Sequence, residues 1–225
     1  MAKTRREPAC PDPDDVGRGK PAPGIPPRQH NFEDAATRAL QDLAAQTDDQ
    51  ITWLGAVRRN DLWTIPVLDD MLSVDLTDGG VRTSAGVDVG RFWRVIVLHY
   101  LGVSTRPAQV EPSVGFADLP SGRTYAPVYR GRVIGRLCHT AGRDAATLRE
   151  AVERLEGEPV DFGDLAFDFR VFPRVTLRLV WYSGDEELSP SASLLVPSNI
   201  ETFFSIEDVV VLSEGLVARL GGRPF

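Results

Sequence analysis

The sequence predicts an α+β fold, and three observations carry that expectation. Phe167, Phe169 and Val171 alternate with Ala166, Asp168 and Arg170, and after Phe172-Pro173-Arg174 the alternation resumes as Val175, Leu177, Leu179 and Trp181 against Thr176 and Arg178. This period of two marks half-buried strands joined by a tight turn. Several other stretches carry apolar residues at helical spacing. Helices and strands come in separate runs instead of alternating as βαβ units, which favours an antiparallel sheet packed with helices.

Residues 1–31 hold seven of the 17 prolines. With so few apolar side chains the segment cannot offset its ordering entropy, and a disordered tail is expected, with Cys10 a free thiol in it. Residues 32–225 read as a single globular domain. Asn31 with Asp34 resembles a helix cap, and Phe32, Ala35, Ala36, Ala39, Leu40 and Leu43 follow helical spacing to about Thr47. Leu62 to Ile65 and Met71 to Leu76 read as short strands. Thr77-Asp78-Gly79-Gly80 supplies a turn. Val89 to Leu101 is almost continuously apolar, a central helix stopped by Gly102. Val103 to Pro120, with its prolines, reads as loop. A helix is expected from Tyr125 to His139, and another capped by Asp144 with the stripe Ala145, Leu148, Val152, Leu155. A third strand follows from Ser191 to Val196. Ser205, with Asp208 three residues on, starts a final helix that Gly221 stops.

The buried faces of the hairpin agree only if Phe172-Pro173-Arg174 is a three-residue loop. Residue 171 then lies opposite 175, 169 opposite 177, and Asp168 opposite Arg178.

Composition excludes several chemistries. The formal net charge is −7, and residues 1–31 carry six Lys/Arg against four acids, which leaves −9 on the remainder. An acidic body argues against nucleic acid as a partner. No apolar run approaches the about 18 residues of a membrane span, and no secretion signal is visible, so a cytoplasmic protein without membrane contact is expected. Lys3 and Lys20 are the only lysines. Pyridoxal-phosphate, Schiff-base, P-loop and protein-kinase chemistry all need a lysine within the fold and are excluded. Two cysteines make no disulfide framework.

Three groups of residues are candidate sites. The acidic loop Asp185-Glu186-Glu187 lies between two strands in a connection longer than a hairpin needs. Asp185 and Glu187 would point the same way and, joined by Asp164 or Glu207, would hold a divalent cation or act as acid and base. The alternative is a solvated turn whose acids pair with arginines. Arg132, Arg136, His139 and Arg143 fall along one face of an uninterrupted helix and would receive an anion or an acidic partner, unless they pair with acids of the following helix. Gly142 weakens the stripe by breaking the helix before Arg143. His99, alone on the apolar helix, is a candidate cofactor or metal ligand; its ordinary role would be a hydrogen bond to a carbonyl at the core boundary. Cys138 and His139 are helix neighbours and do not face each other, so they form no nucleophile pair. The tryptophans and tyrosines are spread over all elements, which points to core packing.

Gly163-Asp164-Leu165 to Phe172-Pro173-Arg174, Trp181 to Glu187, Ser191 to Leu195 and Ile206-Glu207-Asp208 together resemble the microbial family known as domain of unknown function 3786. Leu98-His99-Tyr100-Leu101 and Phe116 to Tyr125 resemble its earlier blocks, so the likeness runs roughly from Leu62 to Leu220. The family has no established activity and assigns no catalytic residue. The resemblance implies a setting in redox or one-carbon metabolism, with corrinoid or tetrapyrrole handling as one role for His99. Some members are joined to a four-cysteine iron–sulfur segment, which Cys10 and Cys138 cannot supply. The expected function is a ligand- or partner-binding accessory module, its partner an unidentified small molecule or protein and its cofactor unidentified. The alternative is a metal-assisted or carboxylate-dependent enzyme built on the acidic loop.

Overall fold

A computed structural model of the chain describes residues 32–184 and 189–225. The N-terminal segment expected to be disordered, Cys10 within it, and the acids Asp185, Glu186 and Glu187 lie outside the described residues. The chain is α+β, with two antiparallel sheets.

Helix α1 (Phe32–Ala44) buries Ala36, Ala39 and Leu43, and the short α2 (Asp48–Trp53) follows behind a Thr47 cap. A four-stranded meander comes next, β1 (Val57–Arg59), β2 (Leu62–Val67), β3 (Asp70–Asp75) and β4 (Gly80–Arg82), in spatial order β1-β2-β3-β4. Proline is tolerated at Pro66 because β1 pairs only with residues 62–64 of β2, so the missing N–H faces no strand there. Helix α3 (Arg91–Leu101) buries seven of its residues, as expected of a central helix, and Gly102 caps it.

The second sheet runs β5-β9-β8-β7-β6, with β5 (Pro112–Gly115), β6 (Glu158–Pro159), β7 (Leu165–Phe172), β8 (Val175–Tyr182) and β9 (Ser191–Pro197). The segment from Val103 to Pro120, expected to be loop throughout, contributes the edge strand β5 and a 3₁₀ turn over Phe116–Asp118. β5 has no alternation of its own. It forms by pairing with β9, and Pro112 is acceptable because it opens an edge strand.

The hairpin register matches expectation away from the turn: Phe167 faces Leu179, Asp168 faces Arg178, Phe169 faces Leu177 and Arg170 faces Thr176. At the turn it differs. Phe172, not Val171, faces Val175, so the loop shortens to Pro173-Arg174 and the register shift falls at Val171. The shift lets both residues be fully buried, and Phe172 stacks on Tyr100 with ring centroids 4.3 Å apart.

The helix expected from Tyr125 to His139 forms as α4 (Ala126–Tyr129), a π-helical stretch over Arg130–Gly135, and α5 (Arg136–His139). Asp144 accepts a hydrogen bond from the Thr147 N–H and so caps α6 (Ala145–Arg154). Ser205 and Asp208 form the capping box of α7 (Ile206–Leu220). The inner sheet faces, α3 and α7 share one core that includes Trp63, Trp93, Trp181, Tyr100 and Tyr129. Trp181 donates its indole N–H to the Gly142 carbonyl at 2.8 Å. Among the described residues, no helix is long and apolar enough to cross a membrane.

Candidate functional site

A cleft of about 470 Å³ opens where the C-terminal turn of α3, α1 and the N-terminus of α7 meet. That volume lies within the range of small-molecule sites. The α3 wall brings Leu98 and His99, α1 brings Ala39 and Asp42, and the segment before α7 brings Glu201 to Ser205. The remaining wall is the loop Gly102 to Thr105, which makes no regular structure but is held at every turn. Gln46 donates to the Gly102 carbonyl at 2.8 Å, and the buried Gln50 amide donates to the carbonyls of Val103 at 2.9 Å and Thr105 at 2.8 Å. The Gln50 carbonyl oxygen accepts from Arg106 Nε at 3.0 Å, and Arg106 also pairs with Asp49. A buried amide with all these bonds made gives the wall a defined shape.

Asp208 lies at the floor of the cleft. Its Oδ2 accepts from Ser205 Oγ at 2.8 Å and from the Ser205 N–H at 3.3 Å, and the Asp208 N–H donates back to Ser205 Oγ at 3.2 Å. A carboxylate in the first turn of a helix is favoured by the positive end of the dipole. The same oxygen stands 3.0 Å from His99 Nδ1, with 7% of the Asp208 side chain and 24% of the His99 side chain exposed. This is an ion-pair contact without good hydrogen-bond alignment, and among the described residues Nδ1 has no other partner. The expected carbonyl partner of His99 is therefore a carboxylate. Burial pulls the imidazole pKa down, but the hydrogen-bonding and charge of Asp208, with the charge of Asp42, outweigh it and leave the pKa raised. A proton held on Nδ1 leaves Nε2 as the nitrogen that exchanges a proton with the cleft.

Among the described residues, the other sequence candidates do not converge here. Asp164 accepts from the Ser183 N–H at 2.8 Å and from Ser183 Oγ at 2.7 Å, which ties the chain together at the base of the acidic loop. Glu207 accepts from Tyr125 Oη at 3.0 Å, and burial followed by this carboxylate raises the Tyr125 pKa. Asp185 and Glu187 are among the undescribed residues, and among the described ones no group of three His, Cys, Asp or Glu is placed to hold a metal ion. Arg132 pairs with Glu214 of α7 through Nε at 2.6 Å and Nη2 at 2.7 Å, not with an acid of the following helix. Arg136 is half-buried. His139 Nδ1 lies 2.6 Å from the Gly135 carbonyl of its own helix, and Arg143 bonds Asp144 and Thr147 beyond the helix end. Cys138 is buried while His139 is exposed, as expected of helix neighbours.

The family model described as domain of unknown function 3786 matches residues 46–219. The protein belongs to that family. The match takes in α2 and β1 as well as the blocks that carry the resemblance, so the Gln50 clamp and the whole His99–Asp208 pair lie inside this DUF3786 domain. No curated protein and no solved structure matches the chain.

Proposed function

We propose that this DUF3786 protein is a cytoplasmic accessory module that binds a small molecule in the cleft between α1, α3 and the start of α7. The carrying observation is the His99–Asp208 pair at the cleft floor. The capping box needs only Ser205 and Asp208. The cap is complete without His99, so an imidazole held on the same carboxylate at the cleft wall stands where a ligand can meet it. Ser104, Thr105, Thr202 and Ser205 add hydroxyls to the lining. Hydroxyls, an imidazole and a few apolar side chains on a braced wall make a small-molecule site.

We do not place a corrinoid or tetrapyrrole in this cleft. Such a macrocycle needs broad apolar walls and, where it bears carboxylates, basic side chains to meet them. Among the described residues the lining carries Asp42, Glu201 and Asp208 and neither lysine nor arginine.

A thermal-shift screen of small metabolites against the protein and its Ser104→Trp variant tests the proposal. Ser104 is exposed at the cleft wall, so an indole there fills space without disturbing the core. Compounds that raise Tm of the protein but not of the variant are expected. A screen in which every compound acts equally on both would overturn the reading.

A further inference from the structure

We infer that the ligand of this cleft is a small organic cation, an amine in its ammonium form, and that it enters in exchange for the proton of His99. The inference rests on the binding reading above and adds the charge class. Three carboxylates face the cleft from three elements: Asp42 from α1, Glu201 from the 3₁₀ turn Ile200–Thr202, and Asp208 from α7. The Gly102 to Thr105 wall contributes hydroxyls and carbonyl-bonded backbone but no titratable side chain, and α3 contributes His99 alone. Several acids elsewhere are paired with arginines, Glu33 with Arg94, Asp48 with Arg58, Asp69 with Arg219, Asp168 with Arg178, and Glu214 with Arg132, while others, such as Asp70, Asp75 and Asp78, accept from backbone N–H groups of their own turns. Asp42 and Glu201 are in no ion pair among the described residues, and they flank a cavity sized for a ligand.

Among the described residues, the only cation lining the cleft is the imidazolium, whose charge Asp208 and Asp42 both favour. An ammonium group entering beside it would repel that charge. The imidazolium then gives its Nε2 proton to water, the ring stays on Asp208 through Nδ1, and the ammonium takes over the carboxylates' field. Binding and protonation are linked, so affinity for a cation rises with pH until His99 is neutral. Above that point it levels off.

Three four-carbon probes of matched length test this on the full chain by isothermal titration: 1,4-diaminobutane, 1,4-butanediol and succinate. The diamine is expected to bind, and the diol and the diacid are not. Its Kd should fall up to about tenfold per pH unit below the His99 pKa, with a proton released to the buffer, and then become flat. Asp42→Asn with Glu201→Gln should weaken the diamine at least about tenfold. His99→Gln, with fold checked by circular dichroism, should still bind it but lose the pH slope. Tighter binding of succinate or the diol than of the diamine would overturn the cation assignment, as would an affinity that falls with rising pH. So would failure of the diamine while anionic or neutral compounds bind in a Ser104-sensitive way. In that last case the cleft stands, whereas a complete lack of Ser104-sensitive binders removes both readings.

Discussion

Arg178 of β8 holds Asp168 of β7 through two hydrogen bonds, Nε to Oδ1 at 2.6 Å and Nη2 to Oδ2 at 2.8 Å. The two residues are direct cross-strand partners on the outer face of the second sheet. Asp168's hydrogen bond raises the guanidinium pKa above its ordinary value, against the opposing effect of burial. Fork-on-carboxylate geometry at mostly buried positions makes the pair more than a screened surface contact. It also locks register, because a one-residue slip would take the arginine off the acid.

Replacing Asp168 with Asn should therefore lower stability by about 1–3 kcal/mol, since it leaves a largely buried guanidinium short of its acceptor charge. Urea denaturation checks this through the midpoint at unchanged slope. Asp168→Arg should cost more. Adding Arg178→Asp should restore part of the loss and not all of it, because Glu111 Oε2 sits 3.6 Å from Arg178 Nη2 and would then face an acid. A double variant as unstable as the single one would show that the two side chains do not interact.

That register was legible in the sequence because alternation makes any other pairing bury polar groups. The turn was less so. Val171 and Phe172 are adjacent apolar residues, and a strict period of two must send one of them outward. Tertiary packing sends both inward, Phe172 onto Tyr100, at the cost of a local irregularity. Strand β5 was hidden for a related reason: Pro112-Ser113-Val114-Gly115 has no pattern until β9 lies beside it. In the cleft, His99 and the Ser205–Asp208 cap were each visible as separate signals. Nothing local says that the end of α3 meets the start of α7, and the placing of Asp42 and Glu201 on one cleft follows only from that meeting.

Gly55 has φ +94°, and a Cβ built there would lie 2.4 Å from the Cβ of Pro173 in the β7–β8 turn. Gly55→Ala should destabilise by more than about 1 kcal/mol, through both the backbone conformation and the clash. Gly86 separates the two causes, for it has φ +76° with nothing within 4 Å. Gly86→Ala should show the backbone cost alone. Equal shifts in Tm for the two variants would mean that the first sheet's approach to the hairpin turn is loose.

Tyr100 is fully buried. Its hydroxyl donates to the Leu54 carbonyl at 2.7 Å and accepts from the Arg174 N–H at 3.2 Å, so it joins the end of α2 to the hairpin turn. Burial raises the phenol pKa well above its ordinary value, against the effect of Arg174, so it stays neutral. Tyr100→Phe keeps the stack on Phe172 but strips both backbone groups of their partner. A loss of about 1–3 kcal/mol is expected in urea denaturation. An unchanged midpoint would mean that neither backbone group depends on this hydroxyl.

The His99–Asp208 pair predicts the pH dependence of stability without ligand. The folded-state pKa of His99 is raised, so the folded chain holds this proton more tightly than the unfolded chain does. The stabilisation is then fully present below the unfolded pKa of about 6.5 and is lost as pH rises through the higher folded value. Relative to His99→Gln, the unmodified protein should lose urea stability as pH rises above about 6.5, until the folded imidazole is neutral. Asp208→Asn should reverse the sign. Burial is the largest single influence on this imidazole and lowers its pKa, and without the carboxylate only the charge of Asp42 opposes it. The folded pKa should then fall below the unfolded one, so the Asn variant should gain stability as pH rises toward about 6.5 and level off above it. A second comparison separates this from loss of the helix cap: Ser205→Ala weakens the capping box but leaves the carboxylate beside His99, so it should lower stability at every pH with little change in the slope. If Asp208→Asn and Ser205→Ala gave parallel curves, Asp208 would be serving α7 alone and His99 would be titrating independently of it.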